Sequence, residues 1–264
     1  MNRLRFAKYA AFARIAAALA RAERGELLGR ALFFPIILGV FAALWRAVGE
    51  AGMPLARTPS TLVWYLASTE WVLLSTPPVH FEIEQEVRRG DIAYHLPRPS
   101  SYAVSAFAQG LGVLSVRAPV LAAAAFVCAF VYGKGLPEHP LALLYVVPFG
   151  LAAQVVLLTF QLTIGLLAFW LQNVGPVYWV WQKSAFVLGG LMLPLELYPA
   201  AVQRLAHFTP FPALLYGPAR FILGAPPTHG VELAWALAGW FAVAVLLATA
   251  VYGRALRALA VNGG

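Results

Sequence analysis

Apolar runs of bilayer-crossing length recur along this whole chain, and no soluble fold can absorb so many of them. A helix needs about 20 residues to cross a ~30 Å hydrocarbon core. Six segments of the 264-residue sequence approach or exceed that length: Ala31 to Val48, Thr61 to Thr76, Ala118 to Gly133, Leu141 to Leu171, Val177 to Leu195 and Val231 to Tyr252. None shows the alternation of a barrel strand, so helices must satisfy the backbone in lipid. With 61% hydrophobic and 11% charged residues, the composition sets the same class. The expected fold is all-α, a polytopic membrane protein with six transmembrane helices. Ser101 to Val116 would overextend the third span and is read as a cytoplasmic elbow near the headgroups.

Cytoplasmic segments retain Lys and Arg during insertion, which orients the bundle. With the amino terminus inside, twelve basic residues are cytoplasmic: Arg3, Arg5, Lys8, Arg14, Arg21, Arg24, Arg30, Arg88, Arg89, Arg98, Arg254 and Arg257. Only five, Arg46, Arg57, Lys134, Arg204 and Arg220, fall outside, while Arg117 and Lys183 lie at or within spans. Both termini are therefore expected in the cytoplasm. The net charge of +8 gathers before the first span rather than on a separate folded domain, which points to membrane lipid as counter-ion and away from nucleic acid.

Residues 1–30 read as an amphipathic interfacial helix, with Arg3, Arg14 and Arg21 along one line and Leu4, Phe12, Ile15 and Leu19 across from them. A plain basic tail that only orients insertion is the other reading. No cleavable signal peptide is expected, because no short apolar core ends in small residues. A single transmembrane domain follows over 31–253, with a cytoplasmic loop at 77–100, an outer-face segment at 196–230 and a tail at 254–264. The outer segment is broken by Pro199, Pro210, Pro212, Pro218, Pro226 and Pro227 yet is too apolar to be freely solvated. Short interfacial or re-entrant helices are expected there.

Catalytic patterns are missing. The five histidines, His80, His95, His139, His207 and His229, never occur at the zinc-protease spacing, and neither a Gly-Lys-Ser/Thr phosphate loop nor a G-x-S-x-G elbow is present. Cys128 is the sole cysteine and falls inside a span, which leaves a buried structural thiol. No catalytic residue, metal or cofactor is expected in this chain. Energy for active transport would come from another chain or an ion gradient.

Charge at membrane depth costs about 2.5–3.5 kcal/mol on insertion scales. Glu70 and Lys183 are therefore candidates for lining a pathway, or else snorkelling residues near the cytoplasmic ends of their helices. Gln154, Gln161 and Gln172 recur at roughly helical spacing, which suits a polar stripe on a pathway or glue between helices. Arg117 reads as a topological anchor.

Seven of the thirty formal charges, Glu82, Glu84, Glu86, Arg88, Arg89, Asp91 and Arg98, crowd into the loop between the second and third spans. After Pro77 and Pro78, acids precede Arg88 and Arg89 as the helix macrodipole favours, and Gly90 stops the helix. Ile83 and Val87 form an apolar ridge suited to a groove on a cytoplasmic partner. The Pro97-Arg98-Pro99 run is a stiff connector back to the membrane. A solvated loop kept out of lipid by its charges would look much the same.

The run Glu86-Val87-Arg88-Arg89-Gly90-Asp91-Ile92-Ala93-Tyr94-His95-Leu96-Pro97-Arg98-Pro99-Ser100 resembles the signature that follows the second span of type 2 ABC exporter permeases. Pro97 and His95 stand where relatives commonly carry apolar residues. Further blocks are similar to that family's second half: Ala168-Phe169-Trp170, Gly189 to Leu195 with Tyr198-Pro199, and Thr209-Pro210-Phe211 with Tyr216-Gly217-Pro218 and Ile222-Leu223-Gly224.

The resemblance implies a permease half in a bacterial cytoplasmic (inner) membrane, paired with a second copy or a sister permease. Separate ATP-binding subunits would hold ATP and Mg. The loop becomes a coupling helix whose partner-contacting residues are Glu82, Ile83, Glu84, Glu86, Val87, Arg88, Arg89, Gly90, Asp91, Leu96, Arg98 and Pro99; Glu70, Lys183, Gln154 and Gln161 are pathway candidates. A gradient-driven secondary transporter would need acids at midplane and often inverted repeats, whereas Glu70 stands nearly alone. A membrane-embedded enzyme would need clustered His, Asp or Ser at one depth.

Overall fold

A computed structural model describes residues 2–53, 55, 57–95 and 101–262, and those residues form helices and their connections with no strand among them. The α-helices are α1 (Asn2–Ala22), α2 (Arg24–Glu50), α3 (Pro59–Ser75), α4 (Val79–Arg89), α5 (Ile92–His95), α6 (Tyr102–Tyr132), α7 (Leu143–Leu166), α8 (Gly175–Leu188), α9 (Ala200–His207), α10 (Gly217–Ala219) and α11 (Thr228–Asn262). Leu96, Arg98 and Pro99 lie outside the described residues.

Among the described residues four stretches are long and apolar enough to cross a membrane: Arg24–Glu50, Tyr102–Tyr132, Pro140–Phe169 and His229–Arg257. The other two expected spans fall short of that length. Thr58 caps α3 by accepting the Thr61 N–H, Pro59 opens it, and Thr76 ends it in extended backbone before Pro77 and Pro78. Its 17 residues reach about 25 Å. The turn at Gly189 and Gly190 closes α8 after 14 residues, or about 21 Å.

The elbow expected at Ser101 to Val116 is absent, because α6 runs unbroken from Tyr102 to Tyr132 with Pro119 inside it. Its 31 residues span about 46 Å of helix, longer than a hydrocarbon core, so one continuous helix covers both span and extension. What holds the first half is α1. Ala16 and Ala20 are buried, and Gly112 leaves no room for a Cβ against the Ala13 backbone. Small residues on both helices permit that approach. Ile15 and Leu19 are about 60% exposed on α1, so these two apolar side chains point away from the bundle.

At the centre stands α3, where every residue from Thr61 to Val72 is buried. Contacts define two ends of the bundle. At one, Arg46 Nη2 donates to Tyr132 O (2.8 Å), Trp64 Nε1 to Gly135 O (3.1 Å), Thr58 Oγ1 to Glu138 (2.7 Å), and Arg57 pairs with Glu196 (2.9 Å). At the other, Arg30 Nη1 donates to Leu74 O (3.1 Å) and the Tyr102 N–H to Tyr252 Oη (3.2 Å). α4 lies at this second end.

The segment over 196–230 is broken as its prolines require, but it does not lie on the surface throughout. Phe211, Leu214, Leu215, Phe221 and Ile222 are buried in the main core together with Trp64 and Leu191. The Tyr65 hydroxyl donates to Gly190 O and Thr69 Oγ1 to Leu191 O (2.7 Å), so the chain after α8 returns to the middle of α3 rather than to its end.

Candidate coupling site and the cleft beside it

The sequence builds α4 as its charges demand. Glu82 sits in the first turn and Arg88 and Arg89 in the last. Gly90 then takes a left-handed conformation (φ 77°) while its N–H donates to Val87 O (3.1 Å). A residue with a Cβ pays for that conformation, so glycine ends the helix here.

One face of α4 is keyed into the chain's own bundle. Ile83 is 2% exposed and packs with Leu158, Leu162 and Leu166, and Val87 is partly buried against the same cluster. The ridge expected to enter a partner's groove is therefore turned inward. Gly165 permits the crossing: a methyl group there would lie 2.9 Å from His80 Cα and 2.9 Å from Ile83 Cδ1. Glu84 is also buried; its carboxylate accepts the Val174 N–H (3.0 Å) just before α8 and pairs with Arg88 (3.3 Å). Glu86 accepts the Tyr102 hydroxyl at 2.6 Å, tying α4 to the start of α6. These acids seat the helix rather than face outward.

His80, which sequence patterns single out only to exclude a zinc site, is the other pin. Fully buried, it stacks on Tyr178 of α8 with ring centroids 3.6 Å apart, and its Nδ1–H donates to Gln161 Oε1 of α7 (3.3 Å). Burial lowers its imidazole to about 4, outweighing the Gln161 hydrogen bond and the nearby Glu84. Its Nε2 is buried without a partner, as befits a neutral ring. A lone histidine two residues past a Pro-Pro pair gives no pattern from which this could be read.

The opposite face of α4 stays open. Phe81, Glu82, Gln85, Arg88, Arg89 and Gly90 are exposed, Arg89 donates to Gln85 (3.0 Å), and Tyr94 of α5 is 74% exposed. Asp91 is half-buried.

Of the expected pathway residues, Glu70 lines a substantial cavity. A cleft of about 460 Å3 lies between α2, α3 and α8, lined by exposed Phe81 beside Pro78 and Tyr178 and by buried Glu70 and Leu191. Gln154 and Gln161 are buried away from it; Gln154 Nε2 reaches Trp71 O (3.4 Å) and Gln161 meets His80. Both therefore join helices. Lys183 is exposed on α8, with Nζ 4.7 Å from the Phe186 ring and 5.9 Å from that of Trp179. Arg117, buried in mid-α6, pairs with Glu26 at 2.7 Å. Cys128 is a free, half-buried thiol.

The family model described as ABC-2 family transporter protein matches residues 66–263, which takes in α4, the cleft-facing part of α3 and everything after them. The chain belongs to this family. No curated protein and no solved structure gives a match. As an ABC-2 family member it is a multi-pass membrane component of a transporter, of a kind that associates with ATP-binding subunits and is not itself catalytic.

Proposed function

We propose that this chain is the permease subunit of an ATP-driven exporter in a bacterial inner membrane, with both termini in the cytoplasm. Two permeases, identical or sister chains, form the pathway, and separate ATP-binding subunits hold ATP and Mg and drive it through α4. The observation that carries this reading is the two-sidedness of α4. Its inner face is locked to α6, α7 and the start of α8, while Gln85, Arg88, Arg89 and Tyr94 are exposed on the other side. A helix held this way transmits a push on its outer face to three others without bending.

Six passes fit this reading, with α3 crossing as a short helix inside the bundle, α8 as a short helix on its flank, and residues 196–230 completing the outer half. The domain is then 31–253, preceded by α1 as an interfacial helix and followed by a cytoplasmic tail. Lys183 supports a second permease copy. On an exposed α8 face with Trp179, Val180 and Val187, it would cost about 2.5–3.5 kcal/mol against lipid, so this face turns to the pathway or to the other permease.

The test is affinity purification of the tagged chain from its own membranes in mild detergent. An ATP-binding cassette subunit should co-elute, and reversing both Arg88→Glu and Arg89→Glu should lose it while the amount of chain in the membrane holds. Absence of any such subunit refutes the exporter reading; its full retention by the double variant refutes α4 as the contact.

A further inference from the structure

We infer that the cleft between α2, α3 and α8 binds an amphipathic organic cation, with the Glu70 carboxylate as its counter-charge. This rests on the exporter reading for what moves the ligand, and on the cleft alone for what binds. Three helix faces converge there at regular spacing: Arg30, Phe33 and Ile37 from α2, Glu70, Leu73 and Leu74 from α3, and Tyr178, Gln182 and Phe186 from α8. Phe81 of α4 stands at the mouth.

Glu70 is 4% exposed, lines the deep end, and has no hydrogen-bond or ion-pair partner among the described residues. A buried carboxylate without a partner draws a cation. The other charge on the cleft cannot serve. Arg30 commits Nε and Nη2 to Glu26 (3.1 and 3.0 Å) and Nη1 to Leu74 O (3.1 Å), so three of its five N–H groups are engaged and its guanidinium is held by Glu26 and the end of α3. An anion in the cleft would meet only the two remaining Arg30 N–H groups and would face the Glu70 carboxylate as well.

The walls select among cations. Hard metal ions need six or more oxygen ligands or several retained waters, and one carboxylate among apolar side chains supplies neither. The Phe33, Phe81, Tyr178 and Phe186 rings suit a delocalised or quaternary cation, whose charge is attracted to aromatic faces and whose hydrocarbon surface is buried beside them. At about 460 Å3 the cleft falls within the range of roughly 300–1,000 Å3 that takes drug-sized molecules. It opens beside α4, so the ligand reaches Glu70 from the coupling side, past a helix that moves with the partner.

Binding of tritiated tetraphenylphosphonium to the full chain in nonionic detergent, without nucleotide, reads the site directly. Saturable binding is expected, weakened at least about tenfold by Glu70→Gln and kept by Glu70→Asp, because one ion pair in a low-dielectric site is removed or retained. Tetraphenylborate, an anion of the same shape, should fail to compete. Gln182→Arg, which sets a resident cation on the facing wall, should abolish binding independently and carries the test if Glu70→Gln does not fold. Unchanged binding in a folded Glu70→Gln or Gln182→Arg variant, or equal competition by the borate, overturns the inference. Suppression by added phosphatidylethanolamine also overturns it, by assigning the cleft to a lipid ammonium group. If binding fails while an ATP-binding subunit still co-elutes, only this inference falls; the converse result removes only the exporter reading.

Discussion

His80 sits where α4 meets α7 and α8, and burial lowers its imidazole from 6.5 to about 4. Unfolded chain takes up a proton near 6.5 but the seated ring does not until about 4, so protonation favours the unseated state. The contribution is complete above 6.5 and is lost as pH falls from there toward 4, on the order of 3 kcal/mol over the full window. The thermal midpoint of the purified chain should therefore drop between about pH 7.5 and 5, and His80→Phe should flatten that part of the profile. Equal slopes for both would remove His80 from the seat. Gly165 makes a second residue-level prediction. Ala there meets His80 Cα at 2.9 Å, and such overpacking costs about 1–3 kcal/mol. The variant should melt earlier and retain less of the ATP-binding subunit. Neither residue was legible in the sequence: Gly165 is one glycine in an apolar run, and its role exists only because another helix crosses it.

At the scale of the element, α4 shows which properties local chemistry carries. Acids first, arginines last and a glycine stop are intrahelical matters, and all three hold in the structure. The direction of its apolar ridge is not intrahelical. Ile83 and Val87 present the same pattern to a partner's groove as to Leu158 and Leu162, and packing against the chain's own α7 decides. So too with Glu84 and Glu86, whose partners Val174 and Tyr102 are 90 and 16 residues away in sequence. Gly90 offers the prediction that belongs here. Gly90→Ala should cost about 1–2 kcal/mol at its left-handed φ and loosen the end of α4, whereas Gly90→Asn, which tolerates that region, should cost less. Retention of the ATP-binding subunit on the affinity column should rank wild type, Asn, then Ala. Equal retention by all three would mean that the stop does not set the outer face.

Across the whole molecule, four membrane-length helices were legible because each carries its own apolar window. The short α8 was overestimated, since hydropathy continues past Leu188 while the glycine turn ends the helix, whereas α3 stops beside Pro77 and Pro78 as the sequence indicates. The missing elbow has the opposite cause: nothing between Ser101 and Val116 breaks a helix, and only membrane thickness suggested a bend. The cleft was visible only as a lone Glu70, since α8 supplies a wall from over a hundred residues beyond α2 and α3. What unites the two sites is Phe81, which lies on α4 and at the mouth of the cleft. Motion of α4 must therefore reach the cleft. Phe81→Cys in a Cys128→Ser background, purified with its ATP-binding subunit, places a single thiol at that mouth. Its maleimide labelling rate should change severalfold when ATP and vanadate trap the subunits closed, and the change should vanish with Arg88→Glu and Arg89→Glu. A labelling rate indifferent to nucleotide in the intact complex would contradict the coupling of α4 to the cleft.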